Sequence, residues 1–268
     1  MMHLRAVLPI LGAIGALAAS ACSGGASSNS ASLYDPRALP SGPAGESIAY
    51  GHALITKTNT LMKRYVRADL TCAACHVAAG TKARGGSFVG TYARFPQWNG
   101  RAHRMIALQD RIAECFLYSM NGKAPAYTSK QMIAIVAYIA WLSRGTPTGA
   151  ALPESNRYVA PAPSDPPSAA RGATVYADKC AACHKASGKG ISGLFPPLWG
   201  STSFNGGAGM SHIERMAGFV RYNMPYGAPG TLSLGQAYDV AAFILHHPRP
   251  RFRRTAVEPM PALPARYF

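Results

Sequence analysis

Two pentads in this chain can fix an iron porphyrin covalently: Cys72-Ala73-Ala74-Cys75-His76 and Cys180-Ala181-Ala182-Cys183-His184. At C-x-x-C-H spacing, two thiols reach the two vinyl groups of one porphyrin, and the histidine that follows becomes the proximal iron ligand. A redox dithiol has no use for that histidine, whereas one half of a zinc site could use it. Two copies in one chain settle the choice in favour of two covalently bound haem c groups. Cys72, Cys75, Cys180 and Cys183 are then the attachment residues, and His76 and His184 the iron ligands.

The group on the other side of each iron decides what each haem does. About forty residues after His184 comes Asn223-Met224-Pro225-Tyr226-Gly227, where Met224 is placed as a distal ligand. A thioether ligand raises the potential and suits electron transfer. A loop methionine packed on the haem edge would look the same in sequence. The first pentad has two candidates. Setting Tyr118-Ser119-Met120 against Tyr222-Asn223-Met224 points to Met120, and one helical turn earlier lies Cys115. Of six cysteines, four serve haem and Cys22 sits in a leader-like segment, which leaves Cys115. A lone thiol in an exported protein is reactive, is paired to Cys22 if that residue stays unlipidated, or is simply buried.

The elements that must position these groups fall into two similar halves. With 268 residues, two small domains of one haem each fit better than one large core, and each haem plate completes its own core. Residues 1–21 read as an export signal, with Arg5 before an apolar run from Ala6 to Ala19. Ala19-Ser20-Ala21-Cys22 also fits a lipoprotein cut, with Cys22 lipidated and residues 22–45 a flexible tether. A first domain spans 46–145, a stiff Pro/Ala-rich linker 146–169, a second domain 170–248 and a basic tail 249–268. Each half opens with a helical segment (Glu46–Val66, Ser168–Lys179). Each continues through the pentad, a Gly-rich loop and a Phe-Pro pair, and closes on an apolar helix (Ser129–Leu142, Leu234–Leu245). Strand-like alternation is absent. The pattern resembles an all-α chain of two tandem class I cytochrome c domains.

A formal charge of +16 would ordinarily suggest nucleic acid. Export removes that partner, so no nucleic acid is expected. The excess suits a small anion or an acidic redox protein. The expected location is the periplasm, with membrane attachment only through a lipid on Cys22. His3, His52, His103, His212, His246 and His247 read as surface or packing residues, and His103 is of interest for its place beside Arg101.

The segments Asn99-Gly100-Arg101 and Arg111-x-x-x-Cys115-Phe116-x-x-Ser119-x-Asn121-Gly122-Lys123 resemble the active-site region of dihaem thiosulfate dehydrogenases. The resemblance runs from about Glu46 to Pro248. It implies that Cys115 is the distal ligand of a catalytic first haem, and that Arg101, Arg111 and Ser119 line the site. Some members carry a lysine beside the methionine; here that position is Asn223, which favours plain His/Met ligation of the second haem. A related subunit of the sulfur-oxidising system places its cysteine ligand in the C-terminal half, where this chain has none after Cys183.

The implied reaction couples two thiosulfates to tetrathionate and releases two electrons. Two dianions repel, so cations must offset the cost; Arg101 and Arg111 offer guanidinium forks and Ser119 a hydroxyl donor. Arg111, Cys115 and Ser119 are spaced four apart and would share one face of a helix. Arg101 and Arg111 could instead hold haem propionates, although the place of Arg111 on the Cys115 face favours the anion. The implied partners are thiosulfate, tetrathionate and a periplasmic acceptor such as a small cytochrome c or a high-potential iron-sulfur protein. The competing readings are a non-catalytic dihaem carrier using Met120 and Met224, and the same site working as a tetrathionate reductase.

Overall fold

A computed structural model describes residues 34–152 and 158–252 of the chain. The expected signal, the site of Cys22 and most of the basic tail lie outside the described residues.

In the first half, α1 (Pro43–Thr56) carries Pro at its opening turn, where no intrahelical partner is lost. A short turn, α2 (Thr58–Leu61), follows. The single helix expected over Glu46–Val66 therefore breaks at Lys57 (φ −126°, ψ 36°). The break serves the haem loop. The buried Thr58 hydroxyl accepts the Cys72 amide at 2.9 Å and returns its own proton to the Leu54 carbonyl at 2.7 Å. The chain then runs through the first pentad into a tight irregular turn, α3 (Val77–Gly80). Strands β1 (Gln97–Asn99) and β2 (Arg104–Ile106) form an antiparallel hairpin with Trp98 opposite Met105. No strand was expected here; three residues per strand are too few for alternation to register. Next come α4 (Leu108–Glu114), one π turn (Cys115–Ser119) and α5 (Lys130–Leu142), capped by the Ser129 hydroxyl.

The second half holds α6 (Ala169–Lys179), α7 (Ala181–His184), α8 (Ile213–Asn223) and α9 (Leu234–His246). Ser168 caps α6, and a Ser233/Gln236 capping box starts α9. Both halves close in the same manner. The first helix crosses the last, α1 on α5 and α6 on α9, and a glycine makes each crossing possible. A Cβ on Gly51 would sit 2.1 Å from the Ala134 carbonyl oxygen, and one on Gly172 would sit 1.9 Å from that of Asp239. Met132, Ile135, Tyr138, Val240 and Ala241 are fully buried along the two seams.

The segments flanking the pentads are more ordered than their composition implies. Within the expected tether, Tyr34 stacks on His52 at 4.0 Å and meets Tyr138 edge-on. Within the expected linker, the Ala160 amide bonds to the Glu214 carbonyl at 3.0 Å, and Tyr238 donates to the Ala160 carbonyl at 3.2 Å. The end of the linker is thus laid into the second half rather than held off as a spacer. The halves also meet directly, through Asp69 N to Thr202 O (2.8 Å) and Asn205 Nδ2 to Leu117 O (2.9 Å). Among the described residues no helix is long and apolar enough to cross a membrane.

Candidate active site

The proximal side is built alike twice. His76 Nδ1 bonds to the Gly86 carbonyl, and His184 Nδ1 bonds to that of Pro196 at 2.9 Å. A carbonyl only accepts, so each Nδ1 carries the proton and each Nε2 keeps a lone pair for iron. Burial pushes the His76 imidazole down to about 4 and lowers His184 as well, which favours the neutral ring in both. The four pentad cysteines form no disulfide. This donor set fits covalent haem c. The equivalence also corrects the expected register of the repeat. The proximal carbonyl is Gly86 in one half and Pro196 in the other, so Phe95-Pro96 and Phe195-Pro196 do not correspond.

In the second half a cavity of about 800 Å³ opens beside the pentad. Cys180, Cys183, His184, Leu198, Phe219 and Met224 are among its walls, so the thioether and the imidazole border one space. Met224 reaches it because α8 stops at Asn223 and the chain turns extended (φ −123°, ψ 150°). The Met224 amide still closes on the Val220 carbonyl at 2.8 Å. Residues 73–75 and 77–79, the back of the first pentad loop, form part of the same cavity wall.

In the first half the opposite side carries sulfur and charge. Arg111 Nη1 lies 3.3 Å from Cys115 Sγ and 3.3 Å from Glu114 Oε2. Glu114 is braced in turn by Asn99 Nδ2 at 2.9 Å. The Cys115 sulfur holds the Arg111 guanidinium above its ordinary range, with Glu114 adding to the effect. Burial pushes Cys75 up to about 12 and Cys72 to about 11, and the neighbouring Cys115 sulfur contributes to both. Cys115 and Arg111 therefore lie close to the first pentad. Met120 sits in apolar surroundings. It is 4% exposed within the apolar core, with its carbonyl taking the Arg67 and Ala68 amides. The π turn separates the two candidates. Met120 N–H reaches back five residues to the Cys115 carbonyl at 3.0 Å, and π turns recur at functional sites.

Comparison with known proteins places this architecture. Residues 61–148 match the family model described as SoxA/TsdA, cytochrome c domain, and residues 169–248 match the cytochrome c model. A thiosulfate dehydrogenase of Allochromatium vinosum is 41% identical over 80% of this chain and 83% of its own length. This chain belongs to the thiosulfate dehydrogenase family. It is a cytochrome c oxidoreductase with two cytochrome c domains. A second family member, from Stutzerimonas stutzeri, is 37% identical over 80% of this chain and 71% of its own. The solved thiosulfate dehydrogenase (TsdBA) of Marichromatium purpuratum superposes with a TM-score of 0.78 at 36% identity. It covers 84% of this chain, which spans half of that longer protein.

The other family-implied residues lie around the π turn with differing ties. The Arg101 guanidinium stacks 4.2 Å over the Tyr118 ring and donates to the Gly207 carbonyl of the second half at 3.2 Å. Ser119 ends the π turn half-buried, and its hydroxyl makes no hydrogen bond among the described residues. His103 is exposed in the hairpin turn at φ 52°, and His247 stacks on Trp199 at 4.0 Å.

Sequence reasoning missed three residues. Glu114 and Asn99 brace Arg111, as above. Tyr158, in the expected linker, feels the charges of Cys75, Arg215, Arg111 and Cys115 and packs edge-on against Phe219 at 6.3 Å. Burial, first of all, raises its hydroxyl pKa. An aromatic residue inside a Pro/Ala-rich stretch was the only signal available for it.

Proposed function

We propose that this protein oxidises thiosulfate, joining two molecules through a new S–S bond into tetrathionate and releasing two electrons, with Cys115 and Arg111 at the site of chemistry. The observation that carries the reading is the 3.3 Å contact between Arg111 Nη1 and Cys115 Sγ over the first pentad. In this reading residues 46–145 form the catalytic half and 170–248 the electron-exit half. His76 and Cys115 flank the first iron, and His184 and Met224 the second. Each bound haem supplies a one-electron acceptor, so two match the two electrons released. Arg111 lies against the Cys115 sulfur and presents a fixed cation to an incoming dianion. Glu114 fixes the arginine but neutralises part of its charge, and Arg101 adds a second guanidinium at the rim. Ser119 offers a hydroxyl to a sulfonate oxygen.

Met120, sequestered in the core, favours Cys115 as the first-half ligand and so favours this reading over a two-methionine carrier. The acceptor is proposed to be a small cytochrome c or a high-potential iron-sulfur protein in the periplasm, with any membrane attachment through Cys22. The test is a steady-state assay with thiosulfate and ferricyanide on the wild type and Cys115→Ala. The expected loss is on the order of a hundredfold or more in turnover, as for removal of a reacting group. Full activity in the variant would sink the scheme.

A further inference from the structure

The two haem sites are joined through one side chain. Asn223 is completely buried at the end of α8, one residue before Met224. Its Nδ2 donates to the Phe219 carbonyl at 3.0 Å and, across the boundary between the halves, to the Arg84 carbonyl at 2.9 Å. Two carbonyl acceptors fix the orientation of the amide, because the reverse orientation would set Oδ1 against both. Oδ1 itself is buried without a partner, a cost that the position tolerates.

Arg84 opens the short segment that holds the first proximal histidine. Two residues on, the Gly86 carbonyl accepts the His76 Nδ1 proton, and between them the Gly85 carbonyl accepts the Val77 amide at 2.8 Å. On its outer side the Arg84 guanidinium lies 4.6 Å over the Tyr222 ring. Residues 84–86 are therefore clamped between His76 and Val77 on one side and Tyr222 and Asn223 on the other. The path Met224–Asn223–Arg84–Gly85–Gly86–His76 runs only through peptide-bonded neighbours and hydrogen bonds.

We propose that Asn223 is a positioning residue that couples the two sites, setting the carbonyl that polarises His76 from the strand that carries Met224. This rests on the assignment of His76 and Met224 as iron ligands made above. The partner of a ligating imidazole's second nitrogen tunes the metal, so moving the Gly86 carbonyl moves the reduction equilibrium of the first haem. Coupling of this kind is reciprocal, so a disturbance at residues 84–86 is felt at Met224.

The test is a spectroelectrochemical titration of the intact dihaem protein that resolves both haems. Asn223→Leu keeps size and removes both donors. The expected result is a shift of roughly three- to tenfold in the reduction equilibrium constant of the first haem, the scale of one hydrogen bond. From the other side, Gly85→Ala would place a Cβ 3.1 Å from Asn223 Oδ1, and it is expected to alter the His/Met spectrum of the second haem. This second variant decides the matter if the first fails to fold. If Asn223→Leu moves only the second haem or only thermal stability, and Gly85→Ala leaves the second haem untouched, the coupling is overturned. A wild type with no His/Met haem would instead overturn the ligand assignment on which the coupling rests.

Discussion

The two halves hold their pentads alike and end their distal helices differently. In the second half α8 stops at Asn223, and the chain leaves it extended, carrying Met224 to an apolar cavity. In the first half α4 does not stop but widens into the π turn Cys115–Ser119, keeping Arg111, Glu114 and Cys115 within hydrogen-bonding reach of one another. The extended segment brings one thioether, Met224, to that cavity. The continuing helix holds Cys115 together with a charged side chain one turn before it. In the function proposed above, this contrast lets one attachment motif serve an electron exit in one half and charged-substrate chemistry in the other.

The sharpest way to break this comparison is to truncate each distal sulfur in turn. Cys115→Ala is expected to abolish thiosulfate turnover as described, while Met224→Ala should alter the second haem's spectrum and lower its potential. With ferricyanide as acceptor the Met224 variant should retain measurable turnover. Equal losses in both would show that the halves are not divided by role. Next in size is Arg111→Ala. Loss of a charge-assisted contact should cut kcat/KM for thiosulfate by roughly ten- to a hundredfold. Arg111→Lys should restore only part of it, because one ammonium cannot replace the fork. An unchanged kcat/KM would return Arg111 to a purely structural role.

The remaining predictions concern what the halves share and where they part in stability. Gly51→Ala and Gly172→Ala each force a Cβ against a carbonyl oxygen of the partner helix. Each should cost about 1–3 kcal/mol in thermal unfolding, and a large inequality would mean that one crossing is more yielding than the other. The smallest effect belongs to an ion pair found at only one crossing. Asp239 on α9 accepts from Arg171 Nε and Nη2 at 2.7 Å each, where α5 has Ala134. Burial alone would raise the Asp239 carboxyl pKa, but the bonds from Arg171 and the Ser168 amide outweigh it, and the net shift is downward. A depressed folded pKa gives a contribution present above the ordinary carboxylate range and lost as pH falls through it. Asp239→Asn should therefore narrow the stability difference between neutral and acidic pH by about 1 kcal/mol or less, given that Arg171 is 58% exposed. An identical acid profile for wild type and variant would remove Asp239 from that role.

Much of the site was legible in the chain because its chemistry is local. The pentads name the attachment cysteines and proximal histidines by spacing alone. The helices α5, α6 and α9 follow from apolar periodicity and serine caps within a residue of the expected bounds. Arg111 and Cys115 meet because four residues make one helical turn. Other features depend on partners far away in sequence. The different surroundings of Cys115 and Met120 arise at a π turn, which leaves no periodic signature. Residues 84–86, Asn223 and Tyr158 gained their places only when the halves packed, through hydrogen bonds and charges spanning from about 40 to about 140 positions. Sequence alone determined the cofactor chemistry, the two-domain fold and the family resemblance, because these rest on short-range spacing. Tertiary structure decided which sulfur of the first half lies beside Arg111, which one is packed in the core and how the two halves touch, because side-chain burial and long-range hydrogen bonds exist only once the chain has folded.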